Sequence, residues 1–306
     1  MNSRKRLITV LGVPLDLGAG HRGVDMATRS LRIAGLDAKL AKIGWDVCDA
    51  GDVAAPIPET LAVAEARLKF FAPILATCEA TVEAARGIVR SGRFPLFLGG
   101  DHSIAIGSVA AVAEPLVAAG KRLGLIWFDA HGDFNTPETS HSANIHGMPL
   151  AVCVGLGDPR LVGIGGFWPK VRPEDTVLVG VRDLDVGERK LIRQAGIHAF
   201  TMRDIDEYGI KEIVSRAIAL ATAHTDALHV SLDVDFVDPE FAPGVGTRVI
   251  GGPNYREAHL AMELVADSGR LTSMDVVEVN PIFDDNNRTS LLAVELILSA
   301  LGKRIL

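Results

Sequence analysis

Aspartate and histidine residues gather directly after three of the strands that the sequence predicts. GGDH occupies residues 99–102, DAHGD occupies residues 129–133 and DVD occupies residues 233–235. In an extended backbone alternate side chains point to the same side, so the side chains within each motif can converge. Because ligands bind where parallel strands end, we expect the motifs to meet at one edge of a sheet. The set comprises His102, Asp129, His131, Asp133, Asp233 and Asp235.

The charges in this set indicate metal ions. A single aspartate after a strand is usually a turn former or a helix cap, but four carboxylates packed together repel one another and are costly to desolvate. Two divalent cations would balance them, and the two imidazoles would add neutral ligands. Oxygen ligands with some imidazole and no thiolate favour Mn²⁺ over zinc. Two metals about 3.5–4 Å apart lower the pKa of a shared water, so the pattern predicts a two-metal hydrolase.

Strands and helices alternate along the whole chain, which predicts a parallel sheet covered by helices on both faces. The predicted strands are apolar runs of the kind that parallel sheets bury. They are Leu7–Leu15, Asp46–Cys48, Phe94–Leu98, Gly124–Phe128, Thr176–Val181, His198–Thr201, Leu228–Leu232 and Thr272–Val279. Helical spacing is found in Pro58–Arg90, Ser103–Ala119, Leu184–Ala195, Ile210–Ala223, Tyr255–Ala266 and Ser290–Leu301.

Composition narrows the class of protein. The 306 residues are 48% hydrophobic, and no linker or repeat divides them, so we expect one domain spanning residues 1–306. A net charge of −7 argues against nucleic acid. The three cysteines lack CxxC spacing, which disfavours disulfides and zinc–thiolate sites and favours the cytoplasm. No apolar run is long enough for a membrane span, and Leu7–Leu15 is interpreted as a strand rather than a signal peptide.

Seven motifs stand in an order that resembles the arginase (ureohydrolase) family over nearly the whole chain. They are GHRGVDM at 20–26, GGDHSIAIGS at 99–108, WFDAHGDFNTP at 127–137, NIHGMP at 144–149, SLDVDFVDP at 231–239, MDVVEVNP at 274–281 and NRTS at 287–290. The resemblance implies a three-layer α/β/α fold with a central eight-stranded parallel sheet. It also implies two Mn²⁺ ions per subunit and a homo-oligomer, a trimer or a hexamer. The implied reaction is hydrolysis of L-arginine to L-ornithine and urea.

The resemblance also assigns roles to the residues of the motifs. One Mn²⁺ would bind His102, Asp129, Asp133 and Asp233, and the other would bind His131, Asp129, Asp233 and Asp235. A hydroxide bridging the metals would attack the guanidinium carbon. Glu278 would pair with the guanidinium, Asp133 would pass a proton to the leaving amine, and His146 would act as proton shuttle.

Substrate choice is expected to depend on the loop after DAHGD and on the RDLD segment. By resemblance, Asn135, Thr136 and Ser142 would bind the α-carboxylate of the substrate, and Asp185 its α-amino group. Glu188 would assist through water, and Thr247 completes the expected substrate contacts.

Two alternatives remain open from the sequence. A related ureohydrolase acting on agmatine or 4-guanidinobutyrate would leave part of these contacts unused, because agmatine lacks the carboxylate and 4-guanidinobutyrate lacks the amino group. A binding or regulatory homologue would require the loss of a metal ligand or of Glu278, and none is missing.

Three positions depart from the usual family pattern. Ala143 stands where glycine is usual before NIHG, Ala27-Thr28 replaces Gly-Pro, and Arg248 replaces proline. Ala143 lacks the freedom of glycine at positive φ, and Arg248 adds a cation that could lie near the pocket. We expect these departures to affect substrate affinity more than chemistry.

Overall fold

A computed structural model of the chain describes residues 6–305, in which eight strands form one sheet. The strand order is β2-β1-β3-β8-β7-β4-β5-β6, and all neighbouring strands run parallel. The strands are β1 Arg6–Val13, β2 Trp45–Asp52, β3 Phe94–Gly99, β4 Leu123–Phe128, β5 Thr176–Val181, β6 His198–Thr201, β7 Ala227–Asp233 and β8 Leu271–Val277. The predicted eight-stranded parallel sheet is therefore confirmed.

Helices cover both faces of the sheet and give three layers. The helices are α1 Ala27–Ile33, α2 Leu36–Lys42, α3 Phe71–Arg90, α4 Ala105–Ala118, α5 Pro149–Cys153, α6 Pro159–Val162, α7 Val186–Ala195, α8 Met202–Tyr208, α9 Ile210–Thr222, α10 Tyr255–Asp267 and α11 Arg288–Ala300. One buried apolar layer joins the sheet to α1, α2 and α8–α11, and the other joins it to α3–α7. Within residues 6–305, no helix combines the length and the apolar character needed to cross a bilayer.

The prediction of one long helix over Pro58–Arg90 is wrong in its first half. Residues 58–60 form a short 3₁₀ helix, and α3 begins only at Phe71. Pro73 explains the late start, because a proline is tolerated in the first turn of a helix but clashes with the carbonyl four residues upstream in its interior. Phe70, in left-handed conformation with φ 53°, precedes the first turn.

Sequence analysis also missed some short elements and misplaced some ends. Helices α1, α2 and α8 have seven residues each and escaped detection. Strand β2 runs from Trp45 to Asp52, beyond the predicted end at Cys48. It lies at the edge of the sheet and most of its residues are exposed, so it lacks the apolar signal of a buried strand.

The order of the strands positions the motifs. β3, β8, β7 and β4 are consecutive neighbours at the middle of the sheet, so the segments that follow them share one edge. Gly100 connects the ends of β1, β3 and β8, because its N–H donates to Val13 O and its carbonyl accepts from Glu278 N–H. An added Cβ at Gly100 would lie 1.8 Å from Leu15 O, so only glycine permits this close approach.

Three non-glycine residues near this edge adopt the left-handed backbone conformation. Asp133 has a φ of 49°, Glu278 a φ of 64° and Ala143 a φ of 60°. This conformation costs about 1–2 kcal/mol for a residue with a Cβ, and such strain often occurs at functional sites.

We expect Ala143→Gly to raise the free energy of unfolding by about 0.5–1 kcal/mol. Relief of the left-handed strain should exceed the entropy that glycine adds to the unfolded chain. Chemical denaturation measures the change. Ala84→Gly is the control, because Ala84 is exposed in α3 and should lose about 1 kcal/mol in the same assay. Destabilisation by Ala143→Gly would contradict the argument.

Candidate metal centre

The six predicted ligands converge at the carboxyl edge of the sheet. His102 follows β3, the DAHGD motif follows β4, and Asp233 is the last residue of β7. All are buried except His131, which is partly exposed.

His102 faces three carboxylates with a single nitrogen. Its Nδ1 lies 3.0 Å from Asp133 Oδ2, 3.2 Å from Asp233 Oδ2 and 3.3 Å from Asp129 Oδ2. One ring nitrogen holds at most one proton and cannot bond all three oxygens well. Ligand atoms of His102, Asp129 and Asp133 lie close enough together to hold one metal ion.

A second group forms around His131. Its Nδ1 lies 3.0 Å from Asp235 Oδ2 and 3.4 Å from Asp129 Oδ1, and Asp129, His131 and Asp235 could hold a metal ion. Asp129 belongs to both groups and turns a different oxygen to each. The Oδ2 of Asp233 faces His102, and its Oδ1 accepts from Asp235 N–H. The bridging role of Asp233 stays a prediction.

The electrostatics of the cluster favour added positive charge. Burial and the nearby charge of Asp129 raise the pKa of Asp133 to about 7. Burial and the charges of Asp235 and Asp129 also raise the pKa of Asp233 well above its ordinary value. Burial opposes a charge on His102, but the surrounding carboxylates hold its pKa well above the usual range. The cluster thus binds protons that divalent cations can replace.

One atom in particular shows that the residues fit a cation. Asp133 Oδ2 is buried and, although it lies 3.0 Å from His102 Nδ1, it makes no hydrogen bond of good geometry among residues 6–305. A buried carboxylate oxygen without a partner is costly unless a cation satisfies it. Oxygen and imidazole ligands without thiolate are suited to divalent ions such as Mn²⁺.

Neighbouring residues hold the carboxylates in place. Trp127 Nε1–H donates to Asp129 Oδ2 at 2.9 Å, and its ring stacks on His102 with centroids 4.0 Å apart. Thr247 Oγ1 donates to Asp235 Oδ2 at 2.9 Å, which places this predicted substrate residue beside a predicted ligand. The role of Trp127 could not be predicted from the sequence, because in a buried apolar strand an indole gives no sign of a polar role.

Glu278 and His146 form a second unit beside the cluster. Glu278 Oε1 lies 2.9 Å from His146 Nδ1 and accepts from His102 N–H, while the buried Glu278 Oε2 has no partner among residues 6–305. Burial opposes a charge on His146, but the carboxylate of Glu278 raises the pKa of His146 to about 9. At neutral pH the pair is therefore an ion pair with one carboxylate oxygen left for another donor.

The loop after β4 is tied to the start of α7. Asn135 Nδ2 donates to Asp185 Oδ2 at 3.1 Å, and Glu188 accepts from Phe134 N–H and Asp185 N–H. These three predicted substrate residues are thus together, and Glu188 holds the loop with both of its oxygens. Burial raises the pKa of Glu188 to about 7.

Two other predicted substrate residues make local contacts. Thr136 Oγ1 donates to Glu138 Oε2 at 2.7 Å. Ser142 is exposed, and its hydroxyl accepts from Asn144 N–H. Their predicted contacts with the substrate stay predictions.

The other residues that depart from the family pattern make defined contacts. Ala27 and Thr28 are buried at the start of α1, and Thr28 Oγ1 donates to Asp52. The guanidinium of Arg248 is held by Phe283 O at 2.7 Å and lies over the Phe283 ring.

Comparison with known proteins agrees with this geometry. The model of the arginase family matches residues 6–302. An arginase of Bacillus caldovelox is 48% identical over 300 residues, covering 98% of this chain and 99% of the relative. An arginase of Bacillus subtilis (strain 168) is 46% identical over 301 residues, with the same coverage.

Solved structures give the same result. The native structure of the Bacillus caldovelox arginase superposes with a TM-score of 0.94, covering 98% of this chain and all of that one (100%). A structure of the Bacillus subtilis arginase superposes with a TM-score of 0.91 and the same coverage. With a family match along nearly its whole length and relatives at almost half identity, the chain belongs to the arginase family.

Proposed function

We propose that the chain is a manganese-dependent arginase that hydrolyses L-arginine to L-ornithine and urea. The observation that carries this function is the pair of ligand groups sharing Asp129, with the partnerless oxygen of Glu278 in the adjoining unit. The proposal includes one catalytic domain over the whole chain, a place in the cytoplasm, and a trimer or hexamer of identical subunits. It includes neither nucleic acid nor membrane as a partner.

The proposed ligands divide between two Mn²⁺ ions. His102, Asp129, Asp133 and Asp233 would hold one, and His131, Asp129, Asp233 and Asp235 the other. When bound, such a pair lowers the pKa of water and supplies hydroxide at neutral pH.

Glu278 would bind and orient the guanidinium group. Its Oε1 is occupied by His102 N–H and His146, so Oε2 is the atom that can accept from the substrate. A hydrogen bond between two charged groups is shorter and stronger than a neutral one. The left-handed backbone of Glu278 turns the residue at the end of β8, and this orientation is set before substrate arrives.

Asp133 and His146 would move protons. The Asp133 carboxylate can receive the proton of the attacking water and deliver it to the leaving nitrogen. The His146 side chain is 17% exposed and can exchange protons with solvent while Glu278 holds its ring.

The loop after β4 would select the substrate by binding the end that carries the α-carboxylate and the α-amino group. Asn135, Thr136 and Ser142 would bind the α-carboxylate, while Asp185, with Glu188, would bind the α-amino group. Asn135 is held by Asp185 on one side, and its Oδ1 accepts from Thr139 Oγ1 at 2.9 Å. A side chain held in this way loses little entropy on binding.

We expect the enzyme with Mn²⁺ to release urea from L-arginine with a kcat/KM at least about 100-fold above that for agmatine or 4-guanidinobutyrate. Polar groups built to bind the carboxylate and the amine are left unpaired by substrates that lack them. Urea release from the three compounds measures the preference. A preference for either of the other two would show a different ureohydrolase.

Asn135→Ala should raise the KM for L-arginine by about 10–100-fold, the cost of one hydrogen bond to a charged group. Agmatine serves as the control within the same sample, because it has no carboxylate to lose. We expect its kcat/KM to change less than about threefold, since it never used the contact. Equal losses with both substrates would show that Asn135 only supports the loop.

Asp129→Asn should remove bound manganese and lower kcat by at least about 1000-fold, because the shared ligand holds both ions. Metal content after gel filtration and urea release are measured on the same sample. Asp206→Asn is the matched control, since Asp206 is exposed in α8, and it should retain metal and activity. Full turnover by Asp129→Asn would exclude the two-metal mechanism.

A further inference from the structure

A stripe of polar side chains runs down the sheet beneath His102. Alternation along β7 places His229 and Ser231 on one face, and β8 places Ser273 and Asp275 beside them. His229 pairs in register with Ser273, and Ser231 with Asp275. These side chains are 0–1% exposed and lie on the face that packs against α4. None of them belongs to the proposed metal or substrate contacts.

Hydrogen bonds connect this stripe to His102. His102 Nε2 lies 2.8 Å from Ser231 Oγ, and Ser231 Oγ donates to Asp275 Oδ1 at 2.5 Å. The direction of the chain follows from the other ring nitrogen. If Nδ1 offers its lone pair to a cation, Nε2 carries the proton and donates to Ser231. The single proton of Ser231 then goes to Asp275.

Three side chains contact the Asp275 carboxylate, and the first is Ser231. Asp275 Oδ2 accepts from Ser108 Oγ at 2.5 Å and lies 3.0 Å from His229 Nε2. His229 is held in turn by Ser273 Oγ, 2.8 Å from its Nδ1. Burial alone would raise the pKa of Asp275, but His229 and the hydroxyl of Ser108 hold it below its ordinary value. The carboxylate is therefore ionised at neutral pH and accepts only.

A network of buried polar groups has a high free-energy cost in this part of the core. The surrounding layer is apolar, with Leu125, Phe97 and Val277 among its buried residues. Apolar residues of similar volume in place of a buried charged pair are often as stable or more stable. A stabilising role thus explains the stripe poorly, and its connection to His102 gives it another purpose.

We propose that Asp275 and Ser231 are positioning residues for the proposed metal centre. Asp275 orients the Ser231 hydroxyl, and Ser231 holds the His102 ring in the tautomer that presents Nδ1 to the ion. His229 keeps the Asp275 carboxylate in place. Such outer partners raise the basicity of the ligand and commonly change metal affinity by about 10–100-fold. The inference rests on the proposed function, because it requires that His102 binds metal.

Titration of Mn²⁺ into the metal-free full-length protein, with the heat of binding measured by calorimetry, tests this inference. We expect Ser231→Ala and Asp275→Asn each to weaken one of two Mn²⁺ sites by about 10–100-fold. The site around His131 should change less than about threefold, because the stripe does not contact it. Ser299→Ala is the matched control, since Ser299 is a buried serine 2.9 Å from a ring nitrogen of His259. It should leave both affinities unchanged.

A double-mutant cycle separates positioning from general support of the fold. If Asp275 acts through Ser231, Asp275→Asn should change the affinity less than about twofold in the Ser231→Ala background. Additive losses would overturn the proposed chain of action. If Asp275→Asn does not fold, the folded Ser231→Ala variant still tests the inference. Unchanged Mn²⁺ affinities, or equal losses of affinity at both sites, in that variant would overturn it. Wild-type protein that binds no Mn²⁺ would instead overturn the proposed function.

Discussion

The repulsion among four buried carboxylates is the constraint on which the rest of the site depends. Four aspartates lie close together and buried at the carboxyl edge of the sheet: Asp129, Asp133, Asp233 and Asp235. Removing such charges from water costs several kcal/mol for each ion unless other groups compensate. Two histidines, backbone N–H groups and the Trp127 indole supply part of the compensation. The pKa values of Asp133 and Asp233 stay raised, so these groups compensate the negative charge only in part. Metal ions can supply the positive charge that is still missing.

The architecture of the sheet makes this concentration of charge possible. Four consecutive strands of the sheet end at the site, so the ligands come from rigid elements rather than from one flexible loop. Close backbone contacts at Gly100 hold the ends of β1, β3 and β8 together. Two of the three residues with strained backbone, Asp133 and Glu278, are proposed to act in the reaction, and the packing around them balances the strain.

The proposed ligands and the proposed contacts with the far end of the substrate lie at different positions. The ligands lie at the ends of β3, β4 and β7, whereas the contacts with the α-carboxylate and the α-amino group lie farther along the loop after β4 and at the start of α7. Glu188 links this loop to the helix through two backbone N–H groups. Of the departures from the family pattern, Ala143 lies in the loop after β4 and Arg248 lies between β7 and α10.

The sequence by itself determined the features that depend on local spacing. Apolar runs predicted the eight strands, and the motifs after three of them indicated the six proposed ligands, because both patterns lie in consecutive residues. Helical spacing misled at residues 58–70, since Pro73 limits the helix from within its first turn. Only the tertiary structure decided which atoms meet. Ser231 and Asp275 are 44 positions apart, and neither looks functional until β7 and β8 lie side by side. The motifs did point to His146 and Glu278, but their contact was likewise decided by the fold, because they are separated by 132 positions. Strand order is set by packing of the whole chain, so contacts between distant segments cannot be found from spacing alone.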